Sequence, residues 1–182
     1  MAKIRACWAV LCFWQVATKT QIRSEDYLRM TFEHDAEFVH GEIVERGMPD
    51  EIHSAIQFLI LLKFGSLVQS YPLYPRPEIR MRVGRDRYRV ADIAIFAGSH
   101  PHPVPETPPL VVVEILSKDD RHSDVIQKLE EYREWGVAHI WVIDPSTKRF
   151  WLYNELGLQN ASSLALSEYP FQLTPAELFA DL

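Results

Sequence analysis

Two carboxylates stand in company that does not suit a charge. Asp92 shares a strand face with Val90, Ala94 and Phe96, and Glu114 is flanked by Val111-Val-Val113 and by Ile115-Leu116. A lone buried carboxylate costs several kcal/mol unless something positive meets it. A divalent cation would satisfy both acids at once. Carboxylate oxygens suit Mg2+ (or Mn2+), which takes one or two of them and leaves its other positions to water and a phosphate oxygen. A buried Glu at a strand end can instead accept N–H bonds from the next helix, or pair with Arg121 or Lys128. The two acids lie 22 residues apart on what read as neighbouring strands, ahead of a helix that carries both cations. That arrangement favours one shared site.

On that helix Val125, Leu129 and Tyr132 mark the core stripe, and Lys128 falls about 60° off it. Arg121, Asp124 and Lys128 follow one edge, from which an ammonium can lean back toward the strand end. A lysine snorkelling along a helix flank gives the same pattern. Upstream, Arg76 to Phe96 reads as two strands around Arg85-Asp86. The expected register pairs Val83 with Tyr88, Met81 with Val90, Ile79 with Asp92 and Arg82 with Arg89. Arg80, Arg82, Arg87 and Arg89 then form a basic face where phosphates could dock, although a solvated hairpin face carries arginines as a matter of course.

The elements that must position these groups follow from periodicity. Ser24 to Met30 reads as a short capped helix, and Glu37 to Glu45 as a tight hairpin about His40-Gly41. Ile52, Ile56, Leu59, Ile60, Phe64, Leu67 and Val68 recur at helical spacing between Asp50 and Gln69. A proline-rich loop, Ser99 to Pro109, leads into the run Leu110 to Leu116, typical of a central strand covered on both faces. The helix after it stops at Gly136, and strands follow at 139–143 and 149–153. Strand, helix, strand about a central sheet defines an α/β class.

With 182 residues there is room for one domain, and 47% hydrophobic against 24% charged residues excludes a disordered chain. A net charge of −6 argues against coating nucleic acid by bulk charge, so any contact must come from a local patch. Cys7 and Cys12 have no His close enough for metal-ligand spacing, which makes a zinc site or disulfide scaffold the wrong expectation. Residues 1–17 form an apolar leader that imitates a signal peptide without a clear cleavage site and is too short to span a bilayer. The expectation is a domain over 18–182, preceded by a non-native or misassigned start or an extra packed helix, with a true signal peptide as the remaining alternative.

Asp92-Ile-Ala-Ile-Phe96, Pro109-Leu-Val-Val-Val-Glu-Ile-Leu-Ser117, Asp124 with Lys128 and Tyr132, Gly136-Val137 and Trp141-Val-Ile-Asp-Pro145 together resemble the bacterial Uma-type family of restriction-endonuclease-like proteins, within the PD-(D/E)XK nuclease superfamily. The resemblance runs from Asp26-Tyr27-Leu28 through Gly41-Glu42-Ile43-Val44-Glu45 and His53 to Ala176-Glu-Leu-Phe179. It implies a restriction-endonuclease-like fold: a central mixed β-sheet flanked by helices, with an N-terminal β-hairpin and helix. It also implies Asp92 and Glu114 as metal ligands, Lys128 as the basic catalytic group, and Glu42, His53, Asp124 and Tyr132 at the site's flank. Leu116 stands where the superfamily's simpler pattern has lysine, and Ala91 where it has proline. His53 at a helix start also reads as an ordinary structural histidine.

The function so implied is Mg2+-dependent hydrolysis of DNA phosphodiester bonds by a cytoplasmic protein with no membrane association, as a monomer or homodimer. The alternative is a nuclease-fold module that binds nucleic acid or a protein partner without cutting. A carboxylate-pair hydrolase of sugars fits the helical lysine and the arginines less well.

Overall fold

The valine run forms a strand with both faces covered, and the other elements are arranged about it. The computed structural model describes residues 22–32, 36–98 and 102–182, so the apolar leader lies outside the described residues. In chain order the elements are α1 (Ser24–Tyr27), β1 (Ala36–Val39), β2 (Glu42–Glu45), α2 (Glu51–Gly65), β3 (Leu73–Gly84), β4 (Arg87–Ala97), β5 (Val111–Ile115), α3 (His122–Trp135), β6 (His139–Asp144), β7 (Arg149–Asn154), β8 (Gly157–Ala161), β9 (Leu164–Leu166), β10 (Phe171–Leu173) and α4 (Pro175–Leu178).

Eight strands make one mixed sheet in the order β2-β1-β4-β5-β6-β7-β8, with β3 also paired to β4. Among the described residues only β5 and β6 run parallel, as the helical crossover α3 between them requires. The expected mixed sheet flanked by helices, with its N-terminal hairpin and helix, is therefore present. On one face Ile56, Ile60 and Phe64 of α2 pack with Ile93, Ile95, Val111, Val113 and Trp141, and Phe171 and Leu178 from beyond Tyr153 close this layer. On the other face Leu129 and Tyr132 of α3 pack with Ala94, Val112, Ile140 and Val142. Each such fully buried large side chain contributes about 1.5–3 kcal/mol. The helix stop at Gly136 holds: it takes φ 102°, a left-handed conformation that glycine adopts without strain.

Two irregularities bear on where the charged side chains point. The expected register of the long hairpin is off by one, because Val83 is an extra residue between the pairs Arg82–Tyr88 and Gly84–Arg87. Arg89 consequently sits opposite Met81 instead of Arg82. Further along, Ala91 packs in the α3 layer and Ile93 in the α2 layer, although strict alternation would place both on one face. Alternation slips at Asp92, and Glu78, across the ladder, carries a φ of 45°.

Candidate active site

The edge of β4 that faces β1 and β5 is shared between them. β1 pairs with Arg87 and Tyr88, and β5 pairs with Ile93, Ala94 and Ile95. Between these stretches side chains complete the hydrogen bonding: Glu37 Oε1 accepts from the Val90 N–H at 3.0 Å, and Lys128 Nζ donates to the Val90 carbonyl at 2.9 Å. A split in the sheet thus creates backbone groups that only polar side chains can satisfy.

Asp92 and Glu114 flank this split. Asp92 Oδ2 accepts the Ile115 N–H at 2.7 Å, and its Oδ1 accepts from the Arg46 guanidinium, which also bonds Glu78. Gln57 fixes both partners, donating to Glu78 Oε1 at 2.9 Å and to the Asp92 carbonyl at 2.7 Å. Glu114 points toward α3, where Lys128 Nζ reaches Oε2 at 2.8 Å and the Tyr132 hydroxyl donates to Oε1 at 2.9 Å. Lys128 also lies 3.0 Å from Glu37 Oε1. Its ammonium therefore meets Glu114, Glu37 and the Val90 carbonyl, three acceptors for three N–H bonds.

The protonation states follow from burial and charge. Burial, opposed by Lys128 and Arg46, leaves the Asp92 pKa above the usual carboxylate range. Glu114 is pushed up by burial and by the Asp92 charge, against Lys128 and Arg46. Burial works against the ammonium of Lys128, but Glu114 and Glu37 outweigh it and hold the pKa above that of an ordinary lysine. Lys128 is thus a fixed positive charge, unsuited to accept a proton. Burial above all keeps the Tyr132 hydroxyl protonated, as its donation to Glu114 requires.

A divalent cation fits here. Glu78, Asp92 and Glu114 set three carboxyl groups against Arg46 and Lys128, with Lys128 shared further with Glu37, and burial works against ionisation of Asp92 and Glu114 unless a further cation meets them. His53, 9% exposed, aims Nε2 at Asp92 Oδ1 across 3.6 Å, and this buried nitrogen has no hydrogen-bond partner. Burial pushes its pKa down and keeps the imidazole neutral, the form that ligates metals. One donor atom each from His53, Glu78 and Asp92 lie within 4.8 Å of one another. Imidazole and carboxylates form a mixed donor set for a first-row divalent ion.

The expected site and the observed geometry differ in detail. Asp92, Glu114, Lys128, Tyr132 and His53 come together. Glu42 is exposed on β2 and Asp124 is exposed near the start of α3, where it accepts from Ser123 Oγ, so neither joins the cluster. Arg89 leaves the expected basic face altogether. It is 6% exposed and inward, with Nε and Nη2 on Glu131 at 2.7 and 3.0 Å and Nη1 on Glu37 at 2.7 Å. The displaced register explains this, since its partner Met81 belongs to the α3 layer. Arg80 lies over the Tyr27 ring, Arg82 pairs with Glu106, and Arg87 lies 3.8–3.9 Å from Glu134 and Glu131. Glu37, Arg46 and Glu78 had no distinguishing sequence signal: the first lies in a short hairpin strand, the second lies between elements and the third follows a proline.

A mixed sheet with an acid pair, a lysine and a neutral histidine gathered at a break in its pairing defines an α/β protein with a buried charged site. Residues 24–179 match the model of the Uma2 family, described as "Putative restriction endonuclease", and the chain belongs to that family. The fold is similar to the crystal structure of a protein from Anabaena variabilis ATCC 29413 described as "a putative nuclease belonging to DUF820", with a TM-score of 0.78 and 23% identity over 86% of this chain and 96% of that one. No curated protein matches the chain. Among the described residues no helix is long and apolar enough to cross a membrane.

Proposed function

We propose that this protein hydrolyses phosphodiester bonds of DNA with the help of a divalent cation, Mg2+ or Mn2+, using Asp92, Glu114 and Lys128 in the PD-(D/E)XK manner. The observation that carries the reading is the Lys128 ammonium bonded to Glu114 beside Asp92, the arrangement that supplies fixed positive charge next to a metal-ligating acid pair. Asp92 would hold the ion with Glu114, and Glu78 and His53 would add donors beside Asp92. A bound cation of this kind lowers the pKa of water and draws charge from the phosphate. Lys128, kept charged by Glu37 and Glu114, stabilises negative charge as it develops on the phosphoryl oxygens. Tyr132 and Glu37 keep Glu114 and Lys128 in register.

Nicking of supercoiled plasmid with Mn2+ or Mg2+, against the same reaction in EDTA, tests this reading. Metal-dependent conversion to open circles is the expected result. The presence of Leu116 where a lysine is common, and the pairing of Arg46 with the site's acids, favour a second reading as a binding module. Protein that binds DNA yet cuts no supercoiled, linear or single-stranded substrate, nor RNA, would establish the second reading in place of the first.

Arg82 and Arg87, at the turn end of the β3–β4 hairpin with half-exposed side chains, are the groups we assign to phosphate docking, with Arg80 beside them. Changing Arg82 and Arg87 to Ala is expected to weaken DNA binding and to reduce its salt dependence by about one unit of log–log slope for each phosphate no longer neutralised. Mn2+ affinity should stay as in the parent. An unchanged slope in filter binding across a salt series would remove these residues from the interface.

A further inference from the structure

Arg46 lies in the segment between β2 and α2, and its guanidinium bonds two carboxylates at once, Glu78 and Asp92. These are two of the three residues whose donor atoms cluster within 4.8 Å. The third, His53 Nε2, has no partner and faces Asp92 Oδ1, the same oxygen that Arg46 holds. The other oxygen of Asp92 is committed to the Ile115 N–H, so the carboxylate cannot turn to offer a second atom without orphaning a buried donor. Gln57 likewise occupies Glu78 Oε1 and leaves Oε2 to Arg46. A guanidinium and a divalent ion would compete for the same oxygens and repel each other across a half-buried site.

We propose that Arg46 is a built-in counter-cation: it neutralises Glu78 and Asp92 while no ion is bound and leaves them when a divalent cation takes the His53, Glu78 and Asp92 donors. Metal affinity is then set by exchange against a residue of the chain itself. Arg46, supplied by a segment outside the sheet and helices, can leave without moving the strands that carry the acids. The inference rests on the metal reading above but not on cleavage.

Mn2+ binding to the full chain, followed by calorimetry and by the EPR signal of the free ion, tests it. Arg46→Met keeps most of the stem and removes the charge. It is expected to bind Mn2+ at least about tenfold more tightly, the weight of one charge-assisted hydrogen bond. It should also gain more in Tm from added Mn2+ than the parent does. Equal or weaker binding would overturn the exchange while leaving the metal site in place, provided Asp92→Asn loses Mn2+ binding. If Asp92→Asn binds Mn2+ as the parent does, the metal reading fails and the exchange with it. Should Arg46→Met not fold, the side-chain Nε–H resonance of Arg46 in the parent protein decides the matter in a Mg2+ titration. A shift that saturates with the ion is expected, and a resonance that stays put at saturation overturns the proposal.

Discussion

Replacing Asp92 with asparagine is expected to lower metal-dependent cleavage by about three orders of magnitude, the scale on which single preorganised electrostatic contacts act in enzyme sites. Asparagine keeps an acceptor for the Ile115 N–H but turns its NH2 toward Arg46, which then stays paired with Glu78 alone, so a modest fall in Tm should accompany the loss. Asp92→Ala is a worse probe. Asp92 has real partners in Ile115 and Arg46, and truncation would leave a buried N–H unpaired at a cost of about 1–3 kcal/mol. Removing this acid therefore brings no relief of electrostatic strain. Plasmid nicking with Asp92→Asn, Glu114→Gln and Lys128→Met, each checked by thermal melting, measures the effect. Folded Asp92→Asn protein that cuts as fast as the parent would end the assignment of this site.

The largest effect on stability is expected at Arg89, which no sequence argument placed inside. Its guanidinium joins Glu37 on β1 to Glu131 on α3, and the three side chains are 7%, 5% and 5% exposed. Removing the cation leaves Glu37 with Lys128 as its one cation and Glu131 with Gln127 and a more distant Arg87, and breaking a buried pair of this kind costs about 3–5 kcal/mol. For a chain of this size that corresponds to a fall in Tm on the order of 10 °C. The same network makes the protein acid-sensitive. Against burial, which would raise it, Lys128 and Arg89 hold the Glu37 pKa down at about 2, from an ordinary value of 4.5. A depressed pKa contributes stability that is fully present above the unfolded value and is lost as pH falls toward the folded one, here between about pH 4.5 and 2. The contribution is roughly 3 kcal/mol. Urea unfolding of the parent and of Glu37→Gln from pH 7 to pH 3 measures it. The parent should lose stability more steeply below pH 4.5, and parallel curves would show that Glu37 carries no such linkage.

Local patterns reached far into this molecule. The helical spacing of Ile56, Ile60 and Phe64, the stop at Gly136, the hairpin at His40-Gly41 and the unbroken valines of β5 each depend on neighbours within a few residues, and each appears where the periodicity puts it. The same logic exposed Asp92 and Glu114 as acids in apolar strands, and the edge of α3 carrying Lys128 as the side that leans toward them. Family resemblance added the reading of those residues as a nuclease site.

The register of the long hairpin and the company of the acids depended on contacts between residues far apart in the chain. In a strand the inward or outward sense of a side chain follows a period of two, so one extra residue, Val83, reverses the expectation for every residue beyond it. That is why Arg89 turns from a docking surface into the centre of a buried ion-pair network. Glu37 meets Lys128 because β1 and β5 share one edge of β4 and leave Val90 between them, and Glu78 meets Asp92 across the other edge, where β3 pairs with β4. Composition and spacing along the chain therefore determined which residues could do chemistry. Tertiary structure decided which charges neutralise them, because a buried charge takes its partner from whatever the folded sheet brings within a few ångströms.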